Sequence, residues 1–323
     1  MPPLPGPVAI ADPIDAEAIA RLRGAGVEVS DATASPEALD AALATAWALV
    51  VRSRTKVTAR LLARAPRLRL IARAGVGVDN VDLAAAAARS VTVVNAPTAA
   101  TVSVAELTVA LALMLVRELY PSIEATRAGR WTKGTRGGEL AGRTVGLVGY
   151  GRIAREVAAR LRPFGVTLLA HDPFVRSTDD GTRLVPLPEL LASSDIVSLH
   201  AAATDANRHL LDADAFARMR PGAFLINVAR GTLVDPAALK AALASGRLGG
   251  AALDVFDTEP PMDSELVQHP RVIPTPHIGA STHEAQRRAG ALVADEVLRA
   301  WRGEPVRFSV PLPAPSPATE ARP

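Results

Sequence analysis

Residues 144–161, TVGLVGYGRIAREVAARL, decide the fold. An apolar run reads as a strand, Gly149, Gly151 and Ala154 follow in the spacing G-x-G-x-x-A, and a helical pattern begins at once. In such a turn the first glycine permits the tight reversal and the second lets a pyrophosphate approach the backbone. The small third residue lets helix and strand pack. The helix start presents the amides of Arg152 and Ile153 to phosphate. The next apolar run, VTLLAHD from Val166, ends at Asp172, about twenty residues on, where a carboxylate would receive the adenosine ribose hydroxyls. It would repel a ribose phosphate, which favours NAD over NADP, although Arg176 nearby softens that preference. Two plainer readings stand beside this one: any glycine turn between strand and helix imitates the pattern, and Asp172 suits a cap of the turn before Pro173.

Outward from this unit the same alternation recurs. Upstream, VAIA near Val8, VEV at Val27, ALVV at Ala48, LRLIA at Leu68 and VTVV at Val91 are separated by helical patterns such as 14–23 and 83–89. Downstream come DIVSLH at Asp195, AFLINV at Ala223 and GAALDV at Gly250. Strands alternating with helices predict an α/β protein of two doubly wound parallel-sheet domains, because 323 residues exceed one ordinary core. A long apolar helix over 101–117, with Ser103 and Glu106 read as a capping box, opens the second domain. A last helical pattern over 282–302 returns to the first. The expected boundaries are 1–97 with 284–311 for one discontinuous domain and 98–283 for the other, with a disordered Pro-rich tail over 312–323.

Composition narrows the chemistry. The absence of cysteine removes disulfides, thiolate metal sites and cysteine nucleophiles, so redox work needs a borrowed cofactor. Lys and Arg total 36 against 33 Asp and Glu and are scattered, and aromatics are 3%, which argues against a nucleic-acid surface. No apolar run is long enough to span a membrane and no secretory signal is evident, so the expected address is the cytoplasm. The six histidines form no ligand cluster with acids, and no metal is expected.

Three segments end strands with groups suited to acid–base work on a hydroxy acid: Arg230 in LINVARGTLVD, Glu259 in ALDVFDTEPP and His277 in IPTPHIGAST. Carboxyl ends of strands are where open α/β sheets bind ligands. Removing a hydroxyl proton while hydride leaves the same carbon suits an imidazole, and a neighbouring carboxylate stabilises the imidazolium. A guanidinium supplies a planar fork for a substrate carboxylate. Taken singly, each has an ordinary explanation: a buried bonded histidine, a turn acid and a surface cap. In RAGVGVDN, Gly75 and Gly77 present backbone amides as an anion nest, with Arg52 and Ser53 offered to the same ligand; an ordinary glycine turn explains them equally well.

Together the segments VVRSRTKVTA, RAGVGVDNVD, VVNAPT, VAELTVAL, GRTVGLVGYGRIAREVA, NVARGTLVD, GAALDVFDTEPP and PHIGASTHEAQ resemble the D-isomer-specific 2-hydroxyacid dehydrogenases over about residues 48–302. The resemblance implies a Rossmann NAD-binding domain plus a flavodoxin-like substrate-binding domain, and an NAD-dependent oxidation of a small anionic D-2-hydroxy acid. It implies catalytic Arg230, Glu259 and His277. Cofactor contacts would come from Gly149, Gly151, Arg152, Ile153, Asp172, Ala229, Asp254, His277 and Gly279, with Asp254 meeting the nicotinamide amide. Arg52, Ser53, Val76, Gly77, Asn95 and Arg230 would bind substrate. The likeness is greatest to the branch acting on 3-phosphoglycerate, in a short form without regulatory domains, and Arg52, Arg73 and Lys133 suit a dianionic acid. A glyoxylate or hydroxypyruvate reductase is the alternative, and an NAD-sensing corepressor-like scaffold is the alternative of another class. A homodimer is implied, with the region of Trp131 reaching toward the partner. Two departures stand out: Ala154 replaces the commoner third glycine, and NAPTAAT replaces the usual sequence after that proline.

Overall fold

The computed structural model describes residues 5–131, 133–134, 136–261 and 265–313. The chain forms two compact units, residues 1–100 with 280–323 and residues 101–279.

In the first unit five parallel strands, β1 (Val8–Ile10), β2 (Val29–Asp31), β3 (Ala48–Val51), β4 (Leu70–Arg73) and β5 (Thr92–Asn95), lie in the order β2-β1-β3-β4-β5. This is the flavodoxin-like winding. Helices α1 (Ala16–Gly24), α2 (Pro36–Leu43), α3 (Ala59–Ala63) and α4 (Leu83–Ala88) make the crossovers. Asp15, Ser35, Thr58 and Asp82 cap them, each side chain accepting an amide of the first turn. Side chains alternate across a strand. Val8, Ile10 and Val50 therefore enter one core with Leu22, while Ala9, Leu49 and Val51 enter another with Leu43 and Leu62. Both faces are buried, which is why these strands read as continuous apolar runs.

The second unit opens with α5 (Thr101–Val116) and α6 (Leu119–Arg127). The sheet follows: β6 (Thr144–Val148), β7 (Thr167–His171), β8 (Arg183–Leu184), β9 (Ile196–Leu199), β10 (Ala223–Asn227), β11 (Leu248–Leu253) and β12 (Val272–Pro274). All pairs are parallel, in the order β12-β11-β10-β9-β6-β7-β8. The winding reverses direction between β6 and β9, the Rossmann arrangement, and such a switch point is where ligands bind. Helices α7 (Arg152–Leu161), α8 (Leu187–Ser193), α9 (Ala213–Arg218), α10 (Pro236–Ala244) and α11 (Glu265–Gln268) complete the unit. The last helix, α12 (His283–Trp301), belongs to the first unit, where Val293 and Val297 join the core against α1 and β4.

The fold class predicted from the alternation is the one observed. Two local expectations are corrected. Helix α5 starts at Thr101, so Ser103 lies inside it and is buried, not at a cap. The apolar content of 101–116 carries Ser103, Val104 and Ala105 into the interior, and that burial overrides the S-x-x-E signal. The expected tail gives its first residue to the fold: Leu312 packs on the core, continuing the segment in which Asn95 N donates to Phe308 O and Val310 N donates to Val93 O. The free edge of β5 supplies the partner. Residues 314–323 of the expected tail lie outside the described residues. Among the described residues no helix is long and apolar enough to cross a membrane.

Candidate functional site

In the second unit the glycine turn sits between β6 and α7. Gly149 has φ +86°, and a Cβ there would fall 2.6 Å from Ala201 N, so only glycine allows the turn to pass the segment that follows β9. Gly151 differs: a Cβ would meet nothing within 4 Å, leaving an open cradle. No side chain caps α7, so its first amides, those of Arg152 and Ile153 among them, lack intrahelical partners. Ala154 is fully buried, as the third small residue of the pattern is expected to be.

Asp172 follows β7. Its Oδ2 accepts Tyr150 N and its Oδ1 accepts Phe174 N, each at 2.8 Å, which fixes the carboxylate beside the turn with lone pairs to spare. The turn reading and the ribose reading are therefore both served by one geometry. The open space at Gly151, the uncapped helix start and the fixed carboxylate fit an NAD-type dinucleotide.

Farther along the sheet, Asn227 is buried at the end of β10. Its Oδ1 accepts Ala229 N at 3.1 Å and its Nδ2 donates to Arg230 O at 2.9 Å, which shapes the loop carrying Arg230. Arg230 Nη1 donates to Ala229 O at 2.7 Å. Gly231 packs so closely on Phe256 and Asp257 that a Cβ would fall 1.9 Å from Phe256 C. The Arg230 loop is thereby seated on the segment leading to Glu259.

Glu259 Oε1 accepts Phe256 N at 3.1 Å, and Oε2 meets His277 Nδ1 at 2.8 Å. With Nδ1–H donating to the carboxylate, Nε2 is the nitrogen left to take a proton. The imidazole side chain is 49% exposed and Glu259 37%, so both face solvent on one side. His277 holds φ +54°, a left-handed conformation unusual for a residue with a Cβ.

Asp254 explains how that conformation is held. It is 1% exposed, and its Oδ1 accepts Thr275 Oγ1 at 2.6 Å and Ile278 N at 2.8 Å, while Oδ2 accepts Gly279 N at 2.8 Å. The carboxylate brackets His277 from both sides. The Gly279 amide is thus engaged within the protein.

In the first unit the remaining expected residues follow three adjacent strands, β3, β4 and β5. Asp12, 1% exposed at the end of β1, accepts Arg52 N at 2.6 Å, Thr55 N at 3.1 Å and Thr55 Oγ1 at 2.7 Å. Asn80 Nδ2 donates to Arg52 O and Thr55 O, each at 2.7 Å, tying the 52–55 loop, with exposed Ser53 at its tip, to the 75–80 loop. Asn95 Nδ2 donates to Val76 O at 2.6 Å. The anion nest is corrected in one respect: Gly75 N donates to Arg73 O at 2.8 Å, because the chain turns back on itself there, so the nest narrows to the Val76 and Gly77 amides. The Arg73 guanidinium lies over Gly75, where a Cβ would meet its Nη1 at 1.7 Å.

Thus Arg230, Glu259, His277, Asp254 and Gly279 occupy linked loops of one sheet, and Arg52, Val76, Gly77 and Asn95 occupy linked loops of the other. Sequence reading missed the polar residues that shape these loops, the buried Asp12 and Asn227 and the half-buried Asn80. A signal existed for two of them: Asp12 closes the run VAIAD, and Asn227 interrupts LINV, where an uncharged amide inside an apolar strand end must find internal partners.

The sequence profile described as D-isomer specific 2-hydroxyacid dehydrogenase, NAD binding domain, matches residues 109–279. The chain is 42% identical over 317 residues to D-3-phosphoglycerate dehydrogenase of Archaeoglobus fulgidus, a match covering 96% of this chain and 60% of that protein. It is 39% identical over 297 residues to hydroxypyruvate reductase of Thermotoga maritima, covering 90% and 97%. Among solved structures, NAD-dependent formate dehydrogenase of Staphylococcus aureus in complex with NAD superposes with TM-score 0.83 at 32% identity, covering 95% and 99%. The chain spans 60% of the length of the archaeal relative.

Proposed function

Because the chain belongs to the D-isomer specific 2-hydroxyacid dehydrogenase family, we propose that it oxidises a small anionic D-2-hydroxy acid, 3-phosphoglycerate in the first instance, with NAD. The observation that carries this reading is the His277–Glu259 pair at 2.8 Å, on loops of the same sheet that bears the dinucleotide turn.

NAD, bound along Gly149, Gly151 and Asp172, supplies the hydride acceptor. Arg230 pairs with the substrate carboxylate and polarises the reacting C–O bond. As the C2 hydride departs, the hydroxyl proton passes to His277 Nε2, and Glu259 stabilises the imidazolium through Nδ1. Products would be the 2-oxo acid, NADH and one released proton. Asp254 keeps the histidine loop in place and retains acceptor capacity for the nicotinamide amide. The Val76 and Gly77 amides, Asn95, Arg52 and Ser53 supply further contacts to the anionic substrate, and Arg73 and Lys133 add positive charge suited to a phosphate group. In this reading the protein is a cytoplasmic homodimer, with the exposed Trp131 region offered to the partner.

The test is a panel of 2-hydroxy and 2-oxo acids followed by NADH absorbance. Turnover of 3-phosphoglycerate well above glycerate supports the reading, and equal rates on the two sink the phosphorylated substrate. A hydroxypyruvate reductase, the name carried by the Thermotoga relative, is the second reading, and preference for hydroxypyruvate in the reverse direction would select it. Light scattering on the purified protein checks the dimer: a monomer mass refutes it.

A further inference from the structure

The mechanism above uses Gly149, Gly151 and Asp172 but not the residue enclosed among them. Tyr150 is fully buried. Its backbone amide donates to Asp172 Oδ2 at 2.8 Å, and its phenol donates to Asp180 Oδ2 at 2.5 Å while lying 2.7 Å from Thr182 Oγ1. Asp180 Oδ1 also accepts Thr182 N at 3.0 Å, and Oδ2 pairs with Arg162 at 3.3 Å. From α7, the Arg155 guanidinium lies 4.9 Å from the Tyr150 ring centroid and reaches Asp179 at 3.7 Å.

Residues 173–182, which join β7 to the edge strand β8, are therefore pinned at both ends, and the two pins meet on one side chain. At the near end Asp172 receives Tyr150 N and Phe174 N. At the far end Asp180 accepts the phenol proton and the buried Thr182 hydroxyl donates to the phenol oxygen. The charge states support this. Burial, then the adjoining Asp180 carboxylate, pushes the Tyr150 phenol up to about 12, so it remains a donor. Against the burial that opposes ionisation, the donors Tyr150, Thr182 and Arg162 hold Asp180 at about 2, so it remains a charged acceptor.

We infer that Tyr150 is a positioning residue for the adenosine end of the dinucleotide: its buried phenol latches the β7–β8 segment to the glycine turn, so that Asp172 stays aimed to receive ribose hydroxyls and reject a 2′-phosphate. The reason is mechanical. A carboxylate discriminates by charge only while it cannot rotate away, and Arg176 on the same segment is exposed and would attract a phosphate if the segment loosened. The inference rests on the proposed reading of the turn as an NAD cradle.

The experiment measures binding of ADP-ribose and 2′-phospho-ADP-ribose by isothermal titration calorimetry to the full chain, to Tyr150→Phe and to Thr182→Val. Tyr150→Phe keeps the ring that fills the core, and Thr182→Val keeps the side-chain shape, so each tests the latch by a separate route. The expected result is that ADP-ribose binding weakens about three- to tenfold, the worth of one lost hydrogen bond. The 2′-phosphorylated ligand is weakened less, which narrows the discrimination. Should both ligands lose affinity equally, or neither change, in the variants that melt cooperatively, the latch is wrong while the cradle stands. Failure of the unaltered protein to bind ADP-ribose would overturn the cradle and the latch together.

Discussion

His200 follows β9 beside the glycine turn, its N donating to Val148 O, and its Nδ1 is buried with no hydrogen-bond partner among the described residues. Its Nε2 lies 2.9 Å from Ser198 Oγ. Burial drives its pKa from 6.5 down to about 3, so the folded protein keeps this ring neutral at any ordinary pH. The unfolded chain takes up a proton near pH 6.5 that the folded chain refuses until near pH 3. Stability is therefore undiminished above pH 6.5 and falls as pH drops through that window. The expected loss from this one residue is about 2 kcal/mol between pH 7 and pH 5. Urea unfolding of the protein and of His200→Gln at both pH values checks it: the variant should lose distinctly less. On the loop after β11, Glu259→Gln should lower kcat about a hundredfold with little change in KM, since the carboxylate acts when the imidazole becomes charged. A variant that raised KM alone would place Glu259 in substrate binding instead.

At the scale of elements, the β6–α7 turn contains two glycines with opposite reasons for being there. Gly149 needs its left-handed φ and its closeness to Ala201, so Gly149→Ala should lower stability by about 2 kcal/mol or more. Gly151 has space around it and ordinary φ, so Gly151→Ala should leave the melting temperature nearly unchanged while weakening NAD binding tenfold or more. Thermal melts with and without NAD separate the two, and equal losses of stability would contradict the assignment of Gly151 to the pyrophosphate.

For the whole molecule, two compact units with separate buried clusters predict two unfolding transitions. Glu296 on α12 is fully buried, and its carboxylate accepts Arg307 N at 2.6 Å, Arg307 Nε at 2.9 Å and Phe308 N at 3.1 Å. It fastens the segment that runs back along β5. Glu296→Gln removes the charge from three donors and should destabilise the first unit by about 3 kcal/mol. Calorimetry should show one transition lowered, while NAD raises the other by mass action. A single transition moved by both changes would refute the division of labour.

What could be read from the linear chain was whatever depends on local periodicity and on backbone limits. Apolar runs four or five residues long between helical patterns pointed to parallel sheets, and the spacing of Gly149, Gly151 and Asp172 pointed to a dinucleotide turn, with a plain glycine turn and a capping Asp172 fitting the same residues. Arg230, Glu259 and His277 were visible as reactive groups at strand ends, and family likeness gave them roles. Tertiary structure alone decided the partnerships: that Asp254 brackets His277, that Asp12 and Asn80 hold the Arg52 loop, that Tyr150 joins Asp172 to Asp180, and that Ser103 sits inside a helix. Each of these is a bond between residues far apart in the chain or a burial set by neighbours, and neither leaves a periodic trace, because hydrogen-bond geometry is fixed only once the strand order has brought the groups together.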